Sequence, residues 1–460
     1  MRAADPPCLA HPACRAPRHA PRVLLLAIGT LLAGAAAAQS ADLITALRAA
    51  QATDPTIRAA RSTLDLALLK RPEARAALFP VVNLSGNTNS TQSSTSFSGV
   101  PAINRGGASY AFTLQLVQPL FRVDNFLATN QASLIVESAQ AQFEQARQDL
   151  LLRVAAAYFA VIEAEDVLAD ADAQVTAMER QLLEISKGFS AGTRAITDVD
   201  DTKSRLGAAR AQQIAARGEI ANAQADLERL TGARYARVAS LPEGIALPSP
   251  QPPLAQDWID QARDNNPQVL ALRAAVEVAR LEVSRARTGH LPTMDLVANI
   301  GRNHSGHSLT TPEDYSTRAS QKELGLQVNI PLFAGGAIVT KINQAEASLE
   351  KSRADLDGAS RDAANQAQHA FSSVVSDLAQ VDALDVTVDA SQNALKGNQA
   401  GFRVGYRTNV DVLTAEQQLF SARSSRSKAR YEALLQGLKL KAAAGILADA
   451  DLETIAALMR

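Results

Sequence analysis

The sequence AGTRAITDV at residues 191–199 returns 213 residues later as VGYRTNVDV at residues 404–412. A second segment returns at nearly the same interval, since QPLF at residues 118–121 reappears as IPLF at residues 330–333. This interval is far longer than the 20–50 residues of a solenoid repeat. The chain is therefore predicted to consist of two related halves, each of which is a large structural unit.

Each half carries the same order of signals: a helix, two alternating strands with a polar loop between them, a very long helix, a turn that contains glycine, and another helix. Apolar residues recur every seven residues in the long helices, which is typical of supercoiled helices, and 60 helical residues span about 90 Å. An ordinary dimeric coiled coil is the weaker alternative because each half also contains strands. The first half, 39–241, is predicted to have strands near 81–88 and 110–117, a long helix 128–187, a tip turn 188–197 and a helix 198–230. After a proline-rich linker, 242–253, the second half, 254–460, is predicted to have strands near 293–300 and 323–330, a long helix 338–397, a tip turn 398–410 and a helix 411–444.

The N-terminus has the features of a secretory signal peptide. Arginines precede a short apolar run, residues 23–33, and the small residues Ala36 and Ala38 follow it. A run of about eleven residues is shorter than the roughly 20 that a spanning helix needs. A signal peptide over 1–38 is therefore favoured over a membrane anchor. Both cysteines of the sequence precede this cleavage site, so the mature chain is expected to lack disulfides and cysteine-based sites.

The four predicted strands alternate between apolar and polar residues, as in 323–330. Their length approaches that of strands that cross a bilayer, and the polar segments 87–109 and 302–321 are predicted to be solvent-facing loops. Four strands are too few for a barrel, because single-chain bacterial barrels have at least eight. Several copies of the chain would therefore have to share one barrel. A four-stranded sheet packed on helices in a soluble protein is the alternative.

Composition and motifs limit the possible functions. The chain has 46 Lys and Arg against 47 Asp and Glu, which excludes a broadly basic nucleic-acid binder. Neither a phosphate-binding loop pattern nor a G-x-S-x-G motif occurs in the sequence. His304 and His307 lie in a polar segment with no third metal ligand nearby. No catalytic residue, metal site or cofactor is predicted, and an enzyme is disfavoured.

Taken together, these features resemble the TolC family, the trimeric outer-membrane ducts of efflux pumps and type I secretion. The resemblance rests on the duplication and on segments 289–293, 331–336 and 404–413. It implies a mainly α-helical fold with a transmembrane β-barrel. In that fold a homotrimer forms a 12-stranded barrel in the outer membrane, continued by a 12-helix periplasmic coiled-coil tunnel.

The resemblance also implies a location and partners. The protein is expected in the outer membrane of a Gram-negative cell, with a large periplasmic portion and contact with outer-membrane lipid. A periplasmic adaptor protein and an inner-membrane transporter would recruit it as a passive duct. Its periplasmic tip would be the gate and would open by uncoiling the inner helix pairs. A periplasmic coiled-coil adaptor or scaffold without a pore is the alternative function.

The tip turns carry the candidate functional residues. Gly192 and Gly405 follow the long helices, where a left-handed residue commonly ends a helix, and Arg194 lies in the first of these turns. Asp198 and Asp411 fall in the first turn of the following helices, where a carboxylate gains from the helix dipole. Helix capping alone is the simpler interpretation of these residues.

By resemblance, Asp411 is the constriction aspartate, three copies of which would surround a narrow axis. Such a ring of like charges would bind cations and filter permeants by charge. Thr414 stands where relatives usually have a second aspartate, which predicts a weaker block by cations.

The resemblance also identifies Gln181, Asp198 and Arg407 as residues of a gate latch. Phe402 replaces a usual tyrosine and cannot donate a hydrogen bond to Asp198. Gln399 replaces a usual acid, so a Gln181–Gln399 amide pair would stand in for a charge-assisted bond of about twice the strength. We therefore expect a looser latch, most of it carried by an Arg407–Asp198 pair between protomers.

Overall fold

The computed structural model describes residues 40–459 except 236, 243, 309, 310 and 312. The predicted signal peptide lies outside the described residues. None of the helices in this part of the chain has an apolar stretch long enough to cross a bilayer. The elements, in chain order, are β1 (Ser40–Ala41), α1 (Leu43–Thr53), α2 (Pro55–Ala76), β2 (Val81–Phe97), β3 (Val100–Phe121), α3 (Val123–Ser190), α4 (Ile196–Thr231), β4 (Arg237–Val238), α5 (Ala255–Asn265), α6 (Pro267–Arg287), β5 (Thr293–Ser305), β6 (Thr317–Asn329), α7 (Ala337–Arg403), α8 (Asn409–Ala443) and α9 (Asp449–Leu458).

Two very long helices dominate the molecule. α3 has 68 residues and α7 has 67, which corresponds to about 100 Å each. α4 packs along α3, and α8 packs along α7. The buried side chains of α3 recur at intervals of three, four and seven, as expected for a coiled-coil seam. They include Leu150, Val154, Val161, Ala164, Ala171, Val175, Met178 and Ile185.

The largest hydrophobic core lies at the middle of α3, where α1, α8 and α9 meet it. Tyr158 is fully buried there, and its hydroxyl accepts a hydrogen bond of 3.0 Å from the backbone N–H of Ala239. At the edge of this core Asp54 caps α2 and accepts a 3.0 Å hydrogen bond from Arg153. Burial raises the pKa of Asp54, but hydrogen bonds from Thr56 and Arg153 outweigh it and hold the pKa below its ordinary value. This core anchors the middle of α3.

The strands β2, β3, β5 and β6 form one antiparallel sheet in that order. β2 and β6 are its edges, so each has a row of backbone groups without a partner strand. β6 is exposed along its whole length, and Leu324 in it is 75% exposed. Representative pairs across the sheet are Val81 with Val117, Ser109 with Ser305, and Thr293 with Asn329.

The predicted loops between the strands are wrong in extent. Segment 87–109 is a continuous hairpin, because β2 and β3 remain paired as far as Phe97 and Val100, with a shift of register after Thr95. Its turn contains Gly99 at φ +85°. Segment 302–321 is also largely strand, and only residues 306–316 lie between β5 and β6. The outer part of β2 is largely exposed on both faces, so this strand continues without the alternation of apolar and polar residues that predicts a strand.

The tip turns are shorter than predicted. They span residues 191–195 and 404–408 rather than 188–197 and 398–410, since the long helices continue three to six residues further. Gly188 and Gly401 therefore lie inside helices. Their missing side chains leave room for a neighbouring side chain, as described below.

Candidate functional site

Both tip turns reverse the chain by the same geometry. Gly192 and Gly405 have φ of 76° and 79°, in the left-handed region that favours glycine. The N–H of Gly192 donates to the carbonyl of Phe189 at 2.9 Å, and that of Gly405 donates to the carbonyl of Phe402 at 3.1 Å. Each turn is therefore a defined helix stop, as the sequence indicates for both glycines.

An arginine stem covers a helical glycine in each turn. A Cβ atom at Gly188 would lie 2.6 Å from Cγ of Arg194, and one at Gly401 would lie 2.7 Å from Cγ of Arg407. A larger residue would displace the arginine. The two turns thus share their side-chain arrangement as well as their backbone.

Phe402 connects the two halves at the tip. Its side chain is only 3% exposed and packs against Ile185, Val199 and Val412. The Arg194 guanidinium carbon lies 4.0 Å from the centre of the Phe402 ring, which is a cation–π distance. Phe402 therefore contributes to the tip through packing and through Arg194, without the hydroxyl of a tyrosine.

Asn409, the first residue of α8, joins three helices and was missed by the sequence analysis. Its side chain is 2% exposed. Its Oδ1 accepts a 2.8 Å hydrogen bond from Nε2 of Gln181 in α3. Its Nδ2 donates to Oγ1 of Thr202 at 3.0 Å and to the carbonyl of Asp198 at 3.4 Å, both in α4. The buried amide is thus satisfied on both sides.

The expected Gln181–Gln399 pair is not formed among the described residues. Gln181 donates to Asn409 instead, because leaving a buried amide oxygen without a donor costs about 1–3 kcal/mol. Gln399 is half-buried and can reach water. The only signal for Asn409 is the comparison of the two halves, in which it stands opposite the apolar Ile196.

Asp411 lies in the first turn of α8 and forms a capping box with Thr408, which precedes the helix. Its Oδ2 accepts hydrogen bonds of 2.9 Å from both the N–H and the hydroxyl of Thr408, whose Oγ1 accepts from the Asp411 N–H at 3.2 Å. The backbone and side-chain hydrogen bonds of Thr408, with the charge of Arg407, lower the pKa of Asp411. Asp411 is therefore ionised at neutral pH, and Thr414 is exposed one turn further along.

Asp198 and Arg407 are not paired within one chain. Asp198 is half-buried in the first turn of α4, and Arg407 is exposed. No ion pair joins them among the described residues of a single copy, so the pair between protomers stays a prediction.

Glu416 is a further buried ionisable group, little more than one turn beyond Asp411. Its side chain is 5% exposed, and its Oε2 atom has no hydrogen-bond partner in the described part of the chain. Burial raises the pKa of Glu416 to about 7. The tip therefore contains a carboxyl group that can change its charge near neutral pH.

Comparison with known proteins agrees with this architecture. The sequence model of the family described as outer membrane efflux protein matches residues 46–233 and 258–446. The alkaline protease secretion protein AprF of Pseudomonas aeruginosa is 34% identical over 409 residues, which cover 88% of this chain and 84% of AprF. The outer membrane protein TolC of Escherichia coli is 29% identical over 439 residues, which cover 94% of this chain and 88% of TolC.

A solved structure shows the same fold. The outer membrane protein VceC from Vibrio cholerae superposes with a TM-score of 0.74 at 20% identity, over 89% of this chain and 97% of VceC. The resemblance predicted from the repeated segments is confirmed, as is the mainly helical fold with a small antiparallel sheet. With its family model matched in both halves, the chain belongs to the outer membrane efflux protein family.

Proposed function

We propose that the chain is the exit duct of a tripartite efflux pump or type I secretion system, a passive channel in the outer membrane. The observation that carries this proposal is that the same chain has both an open sheet and very long helices. An open sheet with exposed apolar side chains adjoins helices of about 100 Å, and these helices end in tip turns joined by buried contacts. Such a chain can reach from a membrane to a distant gate.

The free edges of the sheet support a homotrimer. In lipid, the unpaired backbone groups of β2 and β6 would be unsatisfied unless another strand paired with them. Because neighbouring strands alternate in direction, β6 of one copy can pair antiparallel with β2 of the next. Three copies then close a 12-stranded barrel, and the four helices α3, α4, α7 and α8 of each copy supply a 12-helix tunnel.

The contacts at the tip support a gate that closes the tunnel. Within one chain, Asn409 and the Arg194–Phe402 contact hold the α7–α8 pair against the α3–α4 pair. Between chains, Arg407 pairs with Asp198 of a neighbouring copy. Opening moves the α7–α8 pair away and breaks these contacts. Asp411 forms the constriction ring, and Thr414 leaves that ring with less charge than two aspartates would supply.

The energy for transport comes from partners. A periplasmic adaptor and an inner-membrane transporter recruit the duct, and the transporter selects the cargo. AprF is named for protease secretion, and the protein CzcC of Cupriavidus metallidurans, 27% identical over 305 residues, is named for cobalt, zinc and cadmium resistance. The same duct architecture therefore suits both protein and small-ion cargo.

Fractionation and single-channel recording test the proposal. We expect the protein in outer-membrane fractions, migrating as a trimer that dissociates on heating, and we expect purified protein to conduct ions in a planar lipid bilayer. Recovery in the soluble periplasmic fraction with no conductance would instead support the scaffold alternative. Heated, dissociated protein is the matched control for conductance.

A further inference from the structure

Phe189 and Phe402 occupy equivalent positions in the two tip turns but have different surroundings. Each follows a glycine that an arginine stem covers, and each precedes that arginine by five residues. Phe402 is buried beneath the guanidinium of Arg194. Phe189 is 44% exposed, and no cation stacks on its ring among the described residues of one copy.

The contact within the chain has a direction. It runs from the arginine of the first half, Arg194, to the phenylalanine of the second half, Phe402. In the proposed homotrimer, first and second halves alternate around the axis. Around the axis in the same direction, the next equivalent contact would join Arg407 of a second half to Phe189 of the first half that follows it. That first half belongs to another copy.

We propose that the Arg407 guanidinium stacks on the Phe189 ring of a neighbouring copy and so completes six alternating cation–π contacts around the tip. This inference rests on the proposed homotrimer. The two turns have the same backbone conformation, and in each an arginine stem lies over a helical glycine, Gly188 or Gly401. The two arginine side chains therefore leave their turns in the same direction. The Phe189 ring contacts the flat face of the Arg407 guanidinium. The N–H groups at the edge of the guanidinium therefore stay available to the Asp198 carboxylate.

Cross-linking distinguishes contacts within a chain from contacts between chains. The double variant Phe189→Cys/Arg407→Cys is treated with a short thiol-reactive cross-linker, because stacked residues need not meet the roughly 7 Å Cα limit of a disulfide. The matched control is Arg194→Cys/Phe402→Cys, which replaces the arginine and the phenylalanine of the equivalent contact within one chain. The expected result is covalent dimers and trimers for the first variant and cross-linked monomers for the control.

The outcomes separate this inference from the proposed function. An intact, heat-sensitive trimer in which only the control is cross-linked would overturn the stacking of Arg407 on Phe189. A protein that is monomeric in detergent would overturn the homotrimer, and the inference with it.

A second pair of variants tests the role of the ring without new cysteines. Phe189→Leu keeps an apolar side chain but removes the aromatic face, and we expect the open fraction in bilayer recordings to rise about threefold or more. Phe189→Tyr keeps the aromatic face and should conduct as the wild type does. Equal open fractions for Phe189→Leu and Phe189→Tyr would contradict a cation–π role.

Discussion

Truncation of Asn409 is the most direct test of the tip as a gate. In Asn409→Ala the side-chain oxygen that accepts from Gln181 and the amide that donates to Thr202 are both lost. Gln181 is half-buried and can regain a water partner. Thr202 keeps its 2.7 Å hydrogen bond to the carbonyl of Asp198. The cost is therefore in the middle of the range for buried polar groups, about 2 kcal/mol per chain.

If opening separates α8 from α4, the hydrogen bonds of Asn409 to α4 exist only in the closed state. The substitution then destabilises the closed state alone. An energy of about 2 kcal/mol changes an equilibrium constant about 30-fold. Asn409→Ala should therefore raise the ratio of open to closed time of single channels in planar bilayers by about that factor for each chain whose link must break. The matched control is Gln418→Ala, which truncates an exposed amide on the same helix and should leave the open fraction unchanged.

A double-mutant cycle locates the effect in the polar link itself. Thr202→Val removes the partner hydroxyl, so the two substitutions together should cost less than the sum of their separate effects. Intact Asn409→Ala assemblies with the same open fraction as Gln418→Ala would show that the Asn409 link does not hold the tip closed.

Three further predictions concern charged groups at the tip. If opening exposes Glu416 to water, ionisation of Glu416 favours the open tip, because its pKa is about 7 where it is buried and 4.5 ordinarily. The effect is absent below pH 4.5, grows between pH 4.5 and 7, and reaches about 3 kcal/mol above pH 7. The open fraction should thus be larger at pH 8 than at pH 5, and Glu416→Gln should flatten this dependence; an unchanged pH profile would contradict the burial argument. Arg407→Ala should increase conductance and dye passage more than Arg407→Lys, and unchanged passage would remove Arg407 from the latch. Asp411→Asn should weaken block by a multivalent cation in bilayer recordings, whereas Thr414→Asp should strengthen it, since the second substitution adds a charge one turn along the same helix face.

Several features of the fold could be predicted from local patterns. The seven-residue spacing of apolar residues predicts the long helices, and the glycines at 192 and 405 predict where the chain turns. Strand ends were harder to predict, because the Ser- and Thr-rich part of the β2–β3 hairpin has polar residues on both faces. Alternation indicates a strand only where one face is apolar, so the outer half of the hairpin carried no signal.

The duplication, the periodicity of the helices and the chemistry available at the tip can be read from one chain, because they depend only on the order of its residues. Which groups meet at the tip depends on how the folded helices pack. Asn409 reaches Gln181 across more than two hundred residues of sequence, and Arg194 covers Phe402 of the other half. Such contacts depend on how the helix pairs rotate and pack against one another. The rotation of a helix about its axis decides whether an amide faces another helix or water, and no pattern within a single helix specifies that angle.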